Sequence, residues 1–202
     1  MDEIVRQALA KWPNVPHCHG WLALDRRGGW RMRNEFVQQH GLPGDPIRHA
    51  ALIAFIERNY QRADDGCWYF QNGPQRVYVE LEAAPWVVRL HPAPGCGAQP
   101  LCLTTTDKPF AVDGCLCDEQ GAIFLGGAPQ GEAPSVAILH DHDLDTLSGM
   151  ALFYDQACGA LGELNWDGKK LEIEPVLRAE LGRRFGFVAS PAADQRRVRG
   201  SS

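Results

Sequence analysis

Apolar positions along this chain follow two rhythms. One recurs every three to four residues and predicts helices; the other alternates, or runs unbroken for a few residues between turn formers, and predicts strands. The densest stretch is 45–90. Ile47, Ala51, Leu52, Phe55, Ile56 and Tyr60 make one helical stripe, with Arg48, Glu57, Arg58 and Arg62 opposite. Asp45 is placed to cap that helix, Pro46 suits its first position, and Asp64-Asp65-Gly66 ends it. Strands at 67–71 and 76–81 then flank Asn72-Gly73-Pro74-Gln75, a hairpin with Val77, Val79 and Leu81 inward. Ala84-Pro85 breaks the strand, and 86–90 adds a third.

Before this stretch, Asp2 is placed to cap a leading helix over 2–11 with Ile4, Ala8 and Trp12 on one stripe, and 20–25 and 30–33 form a hairpin around Arg26-Arg27-Gly28-Gly29. After it the same order recurs. A strand at 101–106 leads to a hairpin of 114–118 and 123–125, a Gly/Pro-rich loop at 126–134 and a strand at 136–139. Leu144, Leu147, Ala151 and Tyr154 make a helix from Asp141, and a hairpin turns at Asp167-Gly168. Gly20 with Gly114, Pro46 with Asp141, and Asn72-Gly73 with Asp167-Gly168 share one offset of about 95 residues. The pattern predicts an α+β fold of two similar subdomains from an internal duplication, each an antiparallel sheet of hairpins with one helix packed on a face. Their expected limits are 1–91 and 101–188, joined by the Pro/Gly-rich linker 92–100. A short helix opening at Pro175, with Leu177 and Leu181 inward, and the apolar run 185–188 close the second. The tail 189–202 has little to bury and is expected to be disordered.

Composition narrows the function classes. Twenty Lys and Arg against 25 Asp and Glu leave a net charge of −5, which excludes the basic stripe a nucleic-acid surface needs. The acidic start at Asp2-Glu3 and the lack of a long apolar run predict a cytoplasmic chain without a signal peptide or membrane contact. Seven cysteines, odd in number and without framework spacing, read as buried thiols rather than disulfides.

Gly20-Trp21-Leu22-Ala23-Leu24-Asp25 with Gly28-Gly29-Trp30, then Asp45-Pro46-Ile47, Asp65-Gly66-Cys67-Trp68-Tyr69, and the run Val79-Glu80-Leu81-Glu82-Ala83-Ala84-Pro85-Trp86, make the first half resemble the bacterial family known as domain of unknown function 1285. That resemblance implies two similar α+β subdomains and a role in signalling or ligand sensing, and it brings no catalytic residues. Ala83 departs from the pattern, standing where an acidic residue is usual, and the Cys- and His-rich pieces are this chain's own.

Candidate chemistry is sparse. Walker, dinucleotide, nucleophile-elbow and zinc-protease motifs are missing from the sequence. Trp21, Trp30, Trp68, Tyr69, Phe70, Tyr78 and Trp86, with Asp25, Arg31, Arg33 and Arg76, can line a pocket for a small planar or anionic ligand, or fill a core. His17 and His19, and again His140 and His142, stand at i and i+2 and can supply ligands to a zinc, iron or manganese ion; in their bland reading they cap and hydrogen-bond. Cys115 and Cys117 share one face of a strand and read as core residues. The leading expectation is a non-catalytic module, without a cofactor, binding a small molecule or a protein partner. The alternatives are a metal-dependent hydrolase or oxygenase built on the four histidines and a homodimeric scaffold.

Overall fold

The computed structural model describes residues 2–12, 14–95 and 98–200, except for the side chains of 156–158 and 198–200. Its chain forms two compact units: Met1–Asp25, Gly29–Glu82 and Phe187–Ser202 make the first, Arg26–Gly28 and Ala83–Gly186 the second.

The first unit opens with α1 (Glu3–Lys11). The backbone N–H of Asp2 donates to Asn59 Oδ1 at 2.7 Å and its carboxylate meets Arg58 at 3.3 Å. These anchors turn Val5 into the core, 1% exposed, and leave Ile4 73% exposed, so the expected Ile4-Ala8-Trp12 stripe is not the buried face. Next come β1 (Cys18–Leu24), β2 (Trp30–Met32), α2 (Glu35–Gln39) and β3 (Asp45–Pro46). Helix α2 was not expected from the sequence; Asn34 Oδ1 caps it by accepting the Val37 N–H at 3.0 Å. Asp45 and Pro46 do not open a helix but pair with β2 at the sheet edge, where a missing N–H costs nothing. The main helix, α3 (Ala50–Arg58), starts later, capped by His49, whose Nδ1 accepts the Leu52 N–H at 3.2 Å. It also stops early, because Tyr60 and Arg62 belong to β4 (Tyr60–Arg62), which pairs with β5 (Trp68–Asn72) around Asp64-Asp65-Gly66. β6 (Gln75–Leu81) completes the expected hairpin and runs parallel to β1, with Leu24 beside Leu81. Leu22, Leu24, Trp30, Ile56, Trp68, Phe70, Val79 and Leu81 are buried, each worth about 1.5–3 kcal/mol.

The second unit takes over at β7 (Trp86–His91), which pairs with β8 (Leu101–Thr104). Residues 92–100 therefore connect two strands of one hairpin rather than two subdomains, and the division falls between Glu82 and Ala83. Of that stretch, Cys96 and Gly97 lie outside the described residues. β9 (Phe110–Asp118), β10 (Ile123–Pro129) and β11 (Ser135–Leu139) form a meander, with β10 extending into the expected loop. A 3₁₀ turn at Asp141–Asp143 leads to α4 (Leu144–Ser148). The helix ends there because Ala151 and Tyr154, which continued its period in the sequence, lie on β12 (Ala151–Cys158). β13 (Ala160–Trp166) and β14 (Lys169–Val176) turn at Asp167-Gly168 as expected. Pro175 belongs to β14, and α5 (Arg178–Phe185) starts beyond it, ending at Gly186, whose φ of 65° supplies the left-handed cap. The apolar core includes Phe124, Leu125, Val136, Ile138, Leu147, Leu164, Ile173 and Leu181.

The chain then returns to the first unit. Phe187 is buried, and the tail, expected to be disordered, forms α6 (Pro191–Gly200). Ser190-Pro191 is its start signal: Ser190 Oγ accepts the Ala193 N–H at 3.3 Å and Pro191 occupies the first helical position. Ser201 and Ser202 of that expected tail lie outside the described residues.

The fold is thus α+β with two mixed sheets, and six α-helices are seen among the described residues rather than one per subdomain. The six-stranded sheet has the order β3-β2-β1-β6-β5-β4. Within the eight-stranded sheet, the order β11-β10-β9-β14-β13-β12 has the same senses, including one parallel pair at its centre, β14 with β9; β7 and β8 extend it beyond β11.

Candidate functional site

In the first unit β1 and β6 end side by side, and a cleft of about 360 Å³ opens there. Leu24 and Leu81 give it an apolar floor, and Leu42 and Pro43 a wall. The 41–44 loop lies close against β2: a Cβ on Gly44 would stand 2.4 Å from the Met32 carbonyl oxygen, and φ is 90° there, so glycine alone fits. The opposite wall is Ala189 and Ser190.

The charged groups are supplied by strand ends. Asp25 Oδ1 accepts the Gly29 N–H at 2.7 Å, which fixes the β1–β2 turn, and Oδ2 accepts Arg31 Nε at 2.8 Å. Arg31 also donates to the Gly44 carbonyl at 3.2 Å. Glu80 accepts the Ser190 hydroxyl at 2.5 Å and the Ala192 N–H at 3.0 Å, while the Leu81 N–H donates to the Ala189 carbonyl at 2.8 Å. Arg33 is different. It is half-buried, its Nε reaches only the Leu42 carbonyl at 3.4 Å, and among the described residues it forms no ion pair with a carboxylate.

Of the residues singled out in the sequence, Asp25, Arg31 and Arg33 line this cleft. Trp30 and Trp68 are core, each against Tyr60, at centroid distances of 5.2 and 4.8 Å. Trp21 is half-exposed on a separate apolar pocket beside Met32 and Leu52. Arg76 stacks on Tyr69 at 4.6 Å, and Trp86 is buried in the second unit. Glu80 and Ser190 were not singled out. The Ser-Pro start signal before α6 was the clue to both.

The histidines are divided between the units. His19 stacks on Tyr78 at 4.4 Å, and His17 meets the same ring edge-on at 5.8 Å. In the second unit His140, Asp141 and His142 offer ligand atoms within 4.8 Å of one another. Those groups already have work: His140 Nδ1 accepts the His142 N–H at 3.1 Å, and Asp141 Oδ2 accepts Arg27 Nε at 3.0 Å. A metal at His140 Nδ1 would need the lone pair that caps the 3₁₀ turn. Burial first, then the neighbouring Arg89 guanidinium, holds the His140 imidazole below its ordinary pKa. Asp143 accepts Arg89 Nε at 2.6 Å and the Leu90 N–H at 3.0 Å. Cys115 and Cys117 lie on β9, and burial raises both thiols, Cys115 to about 12, so neither is a ready thiolate at neutral pH. No described helix is long and apolar enough to cross a membrane.

A family model described as "Protein of unknown function (DUF2946)" matches residues 1–192. Among solved structures the chain is similar to a DUF1285 family protein from Silicibacter pomeroyi DSS-3, at 17% identity and a TM-score of 0.50, covering 87% of this chain and 97% of that one. It is also similar to a DUF1285 family protein from Shewanella baltica OS155, at 13% identity and a TM-score of 0.43, covering 64% and 91%. The Silicibacter structure gives the resemblance seen in the first half a counterpart in fold. No curated protein matches. The match over 1–192 makes the chain a member of the family of unknown function DUF2946.

Proposed function

We propose that this member of the family is a non-catalytic cytoplasmic binding module whose first unit takes a small carboxylate with an apolar body. The observation that carries this reading is Arg33. A half-buried guanidinium without a carboxylate partner among the described residues stands in a cleft beside Arg31, which Asp25 neutralises. A guanidinium fork matches a carboxylate in two parallel bonds, while Leu24, Leu42 and Leu81 offer apolar surface to the rest of the molecule. The volume of about 360 Å³ suits a metabolite-sized ligand. Ala189 and Ser190 lead directly into α6, so an occupied cleft would tighten the returning segment, the kind of change a sensing or regulatory module uses. The matching strand orders of the two sheets support an origin by internal duplication.

Calorimetric titration against a panel of aliphatic and aromatic carboxylates tests the reading. Binding that falls at least tenfold in Arg33→Met supports it. A panel without a binder, or one bound equally well by Arg33→Met, counts against it.

A further inference from the structure

Two charges of opposite sign line the cleft of the first unit, and neither meets an opposite charge of the protein among the described residues. One is Arg33, whose Nε reaches only the Leu42 carbonyl. The other is Glu80, half-buried on β6, which accepts from the Ser190 hydroxyl and the Ala192 N–H, both neutral donors. An ionised carboxylate has about four acceptor positions, so about half of this one is open. The first turn of α6 offsets its charge by roughly half a unit at most.

Strand register sets the two ends apart. Ala23 on β1 pairs with Arg31 on β2 and with Glu80 on β6, so these three side chains leave one face of adjacent strands. Strands stand about 4.8 Å apart, which separates the Arg31 and Glu80 Cα atoms by about 10 Å. Arg31 is held by Asp25 at 2.8 Å. Arg33 lies two residues further along, its N–H donating to the Trp21 carbonyl at 2.8 Å, and so starts still further from Glu80. Between the two ends the lining is apolar, formed by Ala23, Leu24 and Leu81.

We propose that the ligand is an ω-amino carboxylate, with its carboxylate on Arg33, its ammonium on Glu80 and its methylene chain along the apolar floor. The inference rests on the carboxylate reading of this cleft and adds a second charge to the ligand. Arg31 and Arg33 share the lining with three carboxylates, Asp25, Glu80 and Glu82, so a plain carboxylate that satisfies Arg33 enters a site of net negative charge and is repelled there. A zwitterion brings its own cation to the acidic end. An α-amino acid carries both charges on one carbon and does not span ends set on separate strands; a chain of methylenes does.

Calorimetric titration of the full chain reads the second charge, using a homologous series of ω-amino carboxylates, each set beside the plain carboxylate of equal length and its α-amino isomer. An ω-amino carboxylate that binds about tenfold or more tighter than both counterparts supports the proposal. Glu80→Gln then loses the preference but still binds the plain carboxylate, while Arg33→Met weakens both. Because Glu80 also holds α6, the preference within each variant is the readout: a loosened α6 lowers both ligands alike and leaves their ratio unchanged. A plain carboxylate bound through Arg33 as tightly as its ω-amino counterpart overturns the proposal and leaves the carboxylate reading standing. A preference that persists in Glu80→Gln, or an α-amino isomer bound equally well, overturns it in the same way. Absence of any binding, or binding indifferent to Arg33→Met, overturns both.

Discussion

In the first unit a carboxylate just beyond β1 ties the following turn; in the second, one at the end of β9 does the same. Asp25 accepts the N–H four residues ahead, from Gly29, at 2.7 Å, and Asp118 accepts the N–H four residues ahead, from Ala122, at 2.8 Å. Each gives its other oxygen to an arginine, and there the units part. Asp25 takes Arg31 from the next strand, whereas Asp118 takes Arg178 from the first turn of α5 at 2.8 Å. The Asp118 side chain is fully buried, and the pocket at the β9–β14 end, about 400 Å³, is lined by Leu177 and Glu180. One turn-and-arginine device thus serves two ends. Where a helix supplies the arginine, it is held by a buried carboxylate; where the neighbouring strand supplies it, the next arginine, Arg33, is left facing a cleft.

The largest effect expected from this contrast is on stability. Asp118→Ala strands Arg178 and two turn N–H groups, from Gln120 and Ala122, and should cost about 3–5 kcal/mol, the range for breaking a buried pair. Asp25→Ala, at a partly open site, should cost about 1–2 kcal/mol. Urea unfolding of both variants measures the difference, and equal losses would break the comparison.

Second in size is an effect confined to the second unit. Asp143 is pushed up by burial, but its bonds to Arg89 and the Leu90 N–H outweigh that and leave its pKa lowered. A lowered carboxyl contributes stability above its unfolded pKa, about 3.9, and loses it as pH falls through the native value. His140, lowered by burial and Arg89, acts in the same direction from about pH 6.5 downward, because the unfolded chain binds the proton more readily. Amide exchange should therefore show the second unit loosening first between pH 6.5 and 4. Asp143→Asn should cost about 2–3 kcal/mol at pH 7 and flatten the acid part of that profile.

What the sequence disclosed divides along the same line as these effects. Hairpins turning at Asn72-Gly73 and Asp167-Gly168 were legible because turn chemistry is local. Asp45-Pro46 misled because an N-cap with proline at N1 and a proline-bearing edge strand have the same letters, and only the pairing of Arg31 with Pro46 separates them. Tyr154 kept the helical period by chance and lies on a strand. At the site, Asp25 and Arg31 could be read from the alternation of their hairpin. Glu80 could not, since its partner Ser190 is 110 residues away in a tail with few apolar residues.

That tail gives the third effect. Glu80→Gln weakens two charge-assisted bonds, to Ser190 and Ala192, and should cost about 1 kcal/mol. Hydrogen exchange should show α6 losing protection while the second unit keeps its own. Loosening of both units together would mean that the returning segment is no separate element of the first.

The smallest expected stability change is at Arg33. Among the described residues the one hydrogen bond of its side chain, to the Leu42 carbonyl, is long at 3.4 Å, so Arg33→Met should stay within about 0.5 kcal/mol of the unaltered chain. Arg178→Met should instead cost about 3 kcal/mol, because it leaves the buried Asp118 carboxylate without its cation. The two substitutions remove the same charge from arginines near equivalent strand ends. One that holds the fold must show in the unfolding midpoint; one reserved for a ligand must show in carboxylate affinity with the midpoint unmoved. If Arg33→Met also lowered stability by about 2 kcal/mol or more, its guanidinium would be holding the fold together, and Arg33 would be as structural as Arg178.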